Sequence, residues 1–189
     1  MTGQAQIGVG GQGLRIAVWG GAALLMLAAV LAEQLSEQMQ WDSGDFMLAG
    51  AMLLAGCGLF ELLMRATDSL AYRAAAMIAL GTAFLLFLAA GAVGIIGSEG
   101  EPANLLYLAV IAIGAAGAAV ARFRPRGMSR AMTLTAAAHV LAGIAGLVLV
   151  PDVRGFVIAT LLFTPMWLVS AWLFAKAVQG GRTQEEQRA

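Results

Sequence analysis

The sequence predicts an all-α fold, a polytopic transmembrane bundle of six helices, and three observations carry this prediction. Apolar residues make up 60% of the 189 residues and charged residues only 12%, whereas a soluble domain carries about a quarter charged residues. Six nearly uncharged stretches are each long enough for a helix of about 17 to 25 residues, the length that crosses a bilayer core. Lys and Arg residues cluster at alternate ends of these stretches.

Each predicted span lies between polar or proline-containing connections. In chain order, the predicted spans cover residues 16–32, 46–64, 74–97, 103–121, 131–150 and 155–175. Lipid offers no partner for backbone polar groups, so these spans should be helices rather than strands. The transmembrane domain then covers residues 15–178, between a flexible glycine-rich tail at 1–14 and a polar tail at 179–189, both expected in the cytoplasm.

The first span also allows a second interpretation, as a cleaved signal segment. Val30-Leu31-Ala32 has the small-residue pattern of a cleavage site after an apolar run. Only Arg15 supplies a cation before that run, and the run is longer than most signal segments. We therefore favour a retained helix, and cleavage would leave the orientation of the other five spans unchanged.

Helix ends carry recognisable signals. Ser43 is expected to cap the second helix, with Asp45 in its first turn facing the positive end of the helix dipole. The third span is the longest, so it should either tilt or end in an irregular turn at Gly94 and Gly97. Pro102 is placed at the start of the fourth helix, where proline is favoured.

The basic residues predict the orientation. Ten of the 11 Lys and Arg residues flank connections on one side, and the exception, Arg154, lies beside Asp152. The positive-inside rule makes that side cytoplasmic, with both termini on it. Basic residues are densest between the fourth and fifth spans, where the cluster consists of Arg122, Arg124, Arg126 and Arg130. This cluster serves orientation and can also contact anionic lipid headgroups, whereas a segment so short and so close to the membrane is not expected to bind nucleic acid.

Many of the 24 glycines fall inside the spans. Small residues let helices approach closely in lipid, where helix association depends on such contact. Pairs four residues apart, such as Ala51 with Ala55 and Ala112 with Ala116, predict seams of small residues. These seams can join helices of one chain or of two copies, and both alternatives stay open.

His139 is the ionisable side chain nearest the middle of any span, and intramembrane ionisable groups are functional candidates by default. It shares a helix face with Thr135, so we expect it to point into the bundle. A neutral imidazole that donates one interhelical hydrogen bond would explain it, and a proton-linked or ligand-linked role is the alternative. Pro165 lies inside the sixth span and should kink it.

Glu61 is the other candidate, one turn inside the end of the second span. Arg65 follows it by four residues, the favourable order for an ion pair along a helix. We expect this to be a pair at the membrane surface rather than a site for a coupling ion.

The sequence predicts no catalytic, cofactor-binding or metal-binding residues. One Cys and one His provide neither an intramolecular disulfide nor a structural zinc site. The stretch from Gly8 to Gly13 matches a dinucleotide-binding glycine pattern, but no strand precedes it. We therefore interpret that stretch as part of the tail.

Five short stretches resemble a known group of proteins. They are Gly44-Asp-Phe46, Tyr72-Arg-Ala-Ala75, Val93-Gly-Ile-Ile-Gly-Ser-Glu99, Pro102-Ala-Asn-Leu105 and Ala121-Arg-Phe-Arg-Pro-Arg-Gly-Met128. Together they resemble an uncharacterised family of small bacterial inner-membrane proteins with six helices, over about residues 44 to 131. The resemblance implies the class and the bacterial inner membrane as location, and it implies no activity.

Two hypotheses for function follow. The first is a non-enzymatic interaction or assembly protein in the lipid bilayer, as a homo-oligomer or with a membrane-protein partner. The second is a small transporter or channel subunit in which His139 faces a polar path. Thr135, Thr160, Thr164 and the kink at Pro165 would line that path.

Overall fold

The computed structural model describes the backbone of residues 5–35, 41–66, 69–98 and 100–186. Within these ranges it contains six α-helices and no strand, which confirms the predicted all-α fold. All six are long and apolar enough to cross a membrane, the composition of a multi-pass membrane protein. In chain order the helices are α1 (Ala5–Leu35), α2 (Ser43–Ala66), α3 (Leu70–Leu88), α4 (Leu105–Val120), α5 (Pro125–Leu149) and α6 (Val153–Glu186).

The first and last helices extend beyond their predicted spans, into the segments predicted as tails. α1 begins at Ala5, inside the tail predicted at 1–14, and α6 continues to Glu186, inside the tail predicted at 179–189. Hydropathy marks the part of a helix that lipid can cover, but helical hydrogen bonding can continue into water. Residues 1–4 and 187–189 lie outside the described residues.

The cap of α2 is Asp42 rather than the predicted Ser43. Its Oδ1 accepts hydrogen bonds from the backbone N–H of Gly44 at 2.6 Å and of Asp45 at 3.0 Å. The Asp45 carboxylate in turn accepts from the N–H of Asp42 at 3.0 Å. This reciprocal pattern is a capping box, and the expected position of Asp45 in the first turn is confirmed.

The chain divides into two compact units, Met1–Asp68 and Ser69–Ala189. We call the first the hairpin unit, because its described helices α1 and α2 pack against each other. No described side chain of α1 is buried. Gly50 of α2 faces Met26 of α1, where an added Cβ would lie 3.3 Å from the Met26 Cε.

The second unit, here called the bundle unit, contains α3 to α6. α5 packs against both α4 and α6, and α6 packs against α3. Its core includes the fully buried side chains of Leu86, Tyr107 and Phe174. Ser170 on α6 donates a hydrogen bond to the carbonyl of Ala75 on α3 at 2.8 Å, which joins these two helices inside the core.

The connection from α3 to α4 is irregular. α3 ends in a π-helical turn at Ala89–Val93, and Gly94 and Gly97 then take φ values of +78° and +67°. Positive φ is accessible to glycine at little cost, so the prediction of an irregular turn at these two residues is confirmed. A 3₁₀ turn at Pro102–Asn104 leads into α4, with Pro102 at the expected first helical position.

Candidate functional site

His139 lies fully buried on α5. Its Nε2 is 3.3 Å from the carbonyl oxygen of Ala159 on α6. A carbonyl only accepts, so Nε2 carries the proton and Nδ1 of the neutral ring is left as an acceptor. The Tyr107 ring lies 5.2 Å from the imidazole and the Phe163 ring 5.8 Å from it, measured between centroids. The imidazole therefore links α5 to α6 within an aromatic enclosure.

Thr135 lies one turn before His139 and is also fully buried. Its hydroxyl donates to the carbonyl of Ala131 in the same helix at 2.8 Å. Gly114 of α4 packs against it, since an added Cβ there would lie 3.2 Å from the Thr135 hydroxyl oxygen. The structure thus brings Thr135 and His139 to one buried face of α5. The hydroxyl hydrogen of Thr135 is already donated to the Ala131 carbonyl.

Several buried polar atoms among the described residues of the bundle unit have no hydrogen-bond partner in the structure. They include Tyr107 Oη, His139 Nδ1, Thr160 Oγ1, Thr164 Oγ1 and Trp167 Nε1. An unpaired polar group inside a bilayer costs several kcal/mol by order of magnitude. These atoms can therefore bond small hydrogen-bonding molecules, and they are the feature that favours a polar path.

Pro165 does not belong to this buried set. Its side chain is exposed, and α6 is continuous through it. Proline has no N–H, so it cannot donate to the carbonyl of Leu161 four residues earlier. The structure places this proline on the outer surface of α6, whereas His139 and Thr135 are fully buried.

Glu61 lies in the hairpin unit and contacts a cation across the two helices. Its Oε2 is 3.1 Å from Nε of Arg15 on α1, as an ion pair with both side chains partly exposed. The predicted partner Arg65 has a side chain outside the described residues. The Arg15 pair was not found from sequence, although both residues lie near the same end of spans that a short connection makes antiparallel.

The four clustered arginines, Arg122, Arg124, Arg126 and Arg130, are all exposed. They lie on the turn between α4 and α5 and on the first turns of α5. Tyr72 of α3 donates its hydroxyl hydrogen to the carbonyl of Phe123 at 2.6 Å. That bond ties the cluster to a third helix, and sequence reasoning did not find it.

A second polar junction, at the other end of the bundle unit, was also missed. Asn104 is buried, and its side-chain oxygen accepts from the N–H of Ile95 and of Ile96, each at 3.0 Å. Its amide nitrogen donates to the carbonyls of Ile96 at 3.3 Å and Ser98 at 2.8 Å. The sequence does place Asn104 in a short connection that contains a proline. In such a connection, a buried side-chain amide can bond the backbone N–H and carbonyl groups that no helix or strand pairs.

Asp152 closes the same junction. Its carboxylate accepts from the N–H of Gly155 at 3.0 Å and from the N–H of Gly97 at 3.1 Å. These hydrogen bonds, with that of Gly155 the largest contribution, hold the pKa of Asp152 below its ordinary value because they favour the charged form. The carboxylate thus fixes the start of α6 to the connection after α3.

The described part of the chain contains no group of three or more His, Cys, Asp or Glu residues placed to hold a metal ion. Comparison of the chain with protein-family models, with curated proteins and with solved structures found no match.

Proposed function

We propose that the protein is a non-enzymatic interaction or assembly protein of the bacterial inner membrane that associates with a second copy of itself through the hairpin unit. The observation that supports this is a difference in how glycines are used. Along α4, α5 and the start of α6 in the bundle unit, the glycines sit at close contacts, whereas Gly81 and Gly91 earlier in that unit have open space beside them. In the hairpin unit, several have open space beside them.

The glycines of α4, α5 and the start of α6 lie against close neighbours. An added Cβ at Gly117 would lie 3.0 Å from the Ala131 Cβ, and one at Gly143 would lie 2.8 Å from the Phe156 ring. Both distances are shorter than ordinary contacts, so these glycines are needed for packing within the chain.

The open glycines of the hairpin unit have no such neighbour. Around Gly20 and Gly21 of α1, and around Gly56 and Gly58 of α2, nothing lies within 4 Å of an added Cβ. Glycine weakens a helix by about 0.5 to 1 kcal/mol relative to alanine, a cost that close packing within the hairpin unit does not offset at these positions. A surface of small residues favours association with another membrane helix, because close backbone approach supplies the packing that lipid tails would otherwise provide.

Replacing Gly20 and Gly56 by leucine tests this proposal. An added Cβ at either position meets nothing within 4 Å, so we expect the hairpin unit to keep its fold with leucine while association is blocked. We expect wild type to be oligomeric in lipid nanodiscs by mass measurement, and the leucine variant to be monomeric. The matched control replaces the same two glycines by alanine, which is still small enough to permit association. Equal oligomeric mass for all three proteins would remove the proposal.

The proposed orientation places both termini in the cytoplasm. The distribution of basic residues supports it, with ten of 11 on one side. Reporter fusions to each connection test it. A periplasmic signal from the connection that carries Arg122 would contradict the orientation.

A small transporter or channel subunit is the second candidate, supported by the buried polar atoms of the bundle unit that lack a hydrogen-bond partner, His139 Nδ1 among them. The close packing of aromatic rings around His139 favours the assembly hypothesis over the transporter hypothesis. The test is proton flux into proteoliposomes, comparing wild type with His139→Ala. Thr133→Ala is the matched control, since that exposed hydroxyl lies on the same helix. Flux lost only in the His139 variant would support transport, and no flux in wild type would exclude it.

A further inference from the structure

An exposed basic patch covers the turn where α4 ends and α5 begins. We call it the arginine turn, and it consists of Arg122, Arg124, Arg126 and Arg130, whose side chains are all exposed. The sequence from residue 102 to residue 151 contains no Asp or Glu. No acid on α4, on α5 or on the turn between them therefore neutralises these four charges.

Apolar side chains are exposed among the arginines. Val120 is 85% exposed at the end of α4, and Phe123 is 51% exposed between Arg122 and Arg124. The patch lies between two helices that are each apolar enough to span a membrane, which places it at a membrane boundary. A phospholipid has a charged headgroup that cations can bind and hydrocarbon chains that apolar side chains can contact. A free anion would interact with the cations only.

The backbone of the turn is held in one shape. The N–H of Arg122 donates to the Ala119 carbonyl at 2.9 Å, and the N–H of Phe123 donates to the Ala118 carbonyl at 3.2 Å. This pair of bonds is the Schellman pattern at a helix end. Arg122 and Phe123 take φ values of +49° and +56°, a region that normally favours glycine.

Tyr72 supports the turn from α3. Besides its hydrogen bond to the Phe123 carbonyl, its ring packs edge-on against Phe174, with the centroids 5.0 Å apart. Gly127 lies so close to α4 that an added Cβ would be 2.7 Å from the Ala121 Cβ. A fixed backbone reduces the entropy that the arginines lose when they bind a ligand.

We propose that the arginine turn binds the phosphate of an anionic phospholipid, with Val120 and Phe123 against its acyl chains. Guanidinium groups suit this ligand because each can donate two parallel hydrogen bonds to phosphate oxygens. No side chain caps the start of α5, so its dipole adds to the attraction. Orientation in the membrane needs only positive charge, so the proposal goes beyond topology and does not depend on the proposed assembly function.

The test measures lipids retained by the purified full chain, using native mass spectrometry with phosphatidylglycerol and phosphatidylcholine as probes. We expect phosphatidylglycerol to be retained in preference. Each substitution of Arg122, Arg124 or Arg126 by alanine should weaken its binding about fivefold. Arg154→Ala is the matched control, since it removes an exposed arginine near the start of another helix, and it should leave binding unchanged.

A second variant keeps the charge and removes the planar donors. Arg122→Lys, Arg124→Lys and Arg126→Lys together preserve the orientation signal, and circular dichroism checks that the helices remain. We expect severalfold weaker binding of phosphatidylglycerol by this variant. Equal binding would show diffuse attraction without a built site and would overturn the proposal. Equal retention of phosphatidylcholine would overturn it too, as would displacement of phosphatidylglycerol by millimolar inorganic phosphate, which would identify free phosphate as the ligand.

Discussion

The hairpin unit and the bundle unit use the same small residues in different ways. In the bundle unit, Gly117, Gly143 and Gly146 face side chains so near that a methyl group would collide or compress them. In the hairpin unit, Gly20 and Gly56 face open space, and no described side chain of α1 is buried. Glycine content alone would make the two units look alike.

The difference shows that a glycine in a membrane helix is informative only once its neighbours are known. Along α4, α5 and the start of α6, the small residues allow close helix contacts within the bundle unit. In the hairpin unit most of them leave a surface to which a second helix can come close, although Gly50 packs against Met26. This contrast separates the internally packed contacts of α4, α5 and α6 from the open surface of the hairpin unit.

The largest effect is expected where a glycine meets backbone. In Gly155→Ala the new methyl group would collide with the carbonyl oxygen of Ile95, which cannot move without shifting the connection after α3. We expect the free energy of unfolding to fall by about 3 kcal/mol, measured by denaturant unfolding in detergent.

Gly56→Ala in the hairpin unit is the matched control for that variant. Its methyl group enters open space, and alanine is the better helix former, so stability should be unchanged or higher by about 0.5 to 1 kcal/mol. If both variants lost similar stability, the packing contrast between the units would be wrong.

A smaller effect is expected from the polar junction in the bundle unit. Asn104→Ala removes an acceptor from the buried N–H of Ile96 and a donor from the carbonyls of Ile96 and Ser98. We expect a loss of about 2 kcal/mol in the free energy of unfolding, because buried backbone groups are left unpaired.

The comparison in the hairpin unit is Asp42→Ala, which removes an exposed helix cap. A cap of this kind contributes about 1 kcal/mol, and water can replace it in part. A larger loss for Asp42→Ala than for Asn104→Ala would contradict the view that burial sets the cost.

Two tyrosines provide a still finer test of the bundle interior. Tyr72→Phe removes the hydrogen bond to the Phe123 carbonyl and should cost about 1 kcal/mol. Tyr107→Phe removes a hydroxyl without a partner in the structure, so the free energy of unfolding should be unchanged or higher. A clear loss from Tyr107→Phe in unfolding experiments would show that its hydroxyl bonds something else, which would favour the polar-path hypothesis.

The smallest predicted effect is a dependence on pH through Asp152. Its pKa is lower in the folded protein than the ordinary value of 3.8, so the folded state favours the carboxylate. The contribution to stability is therefore complete well above pH 3.8 and is lost as the pH falls through the lowered pKa. Unfolding midpoints of wild type and Asp152→Asn should converge as the pH falls, and a constant difference between them would contradict this account.

The helices could be predicted because crossing lipid requires long apolar segments, which sequence displays directly. The ends of the helices were harder to predict. α1 starts at Ala5, before its apolar segment, because a helix can continue beyond the residues that hydropathy identifies as membrane-spanning. Asp42 and Ser43 are adjacent candidate caps, and only the geometry separates them.

Contacts between helices were least predictable. A single interhelical hydrogen bond was expected for an imidazole inside a span, and His139 makes one to Ala159. Its acceptor is a backbone carbonyl, which the sequence does not identify. The Arg15–Glu61 pair and the Asn104 junction likewise depend on which segments are neighbours in space.

Disulfide cross-linking in native membranes tests the central claim most directly, using a Cys57→Ser background with a new cysteine in place of Gly20. Association through the open surface predicts a cross-linked dimer. Cysteine at Met26, which faces Gly50 inside the hairpin unit, should give none. A dimer at Met26 and none at Gly20 would contradict the claim that the open glycines of α1 meet a second copy.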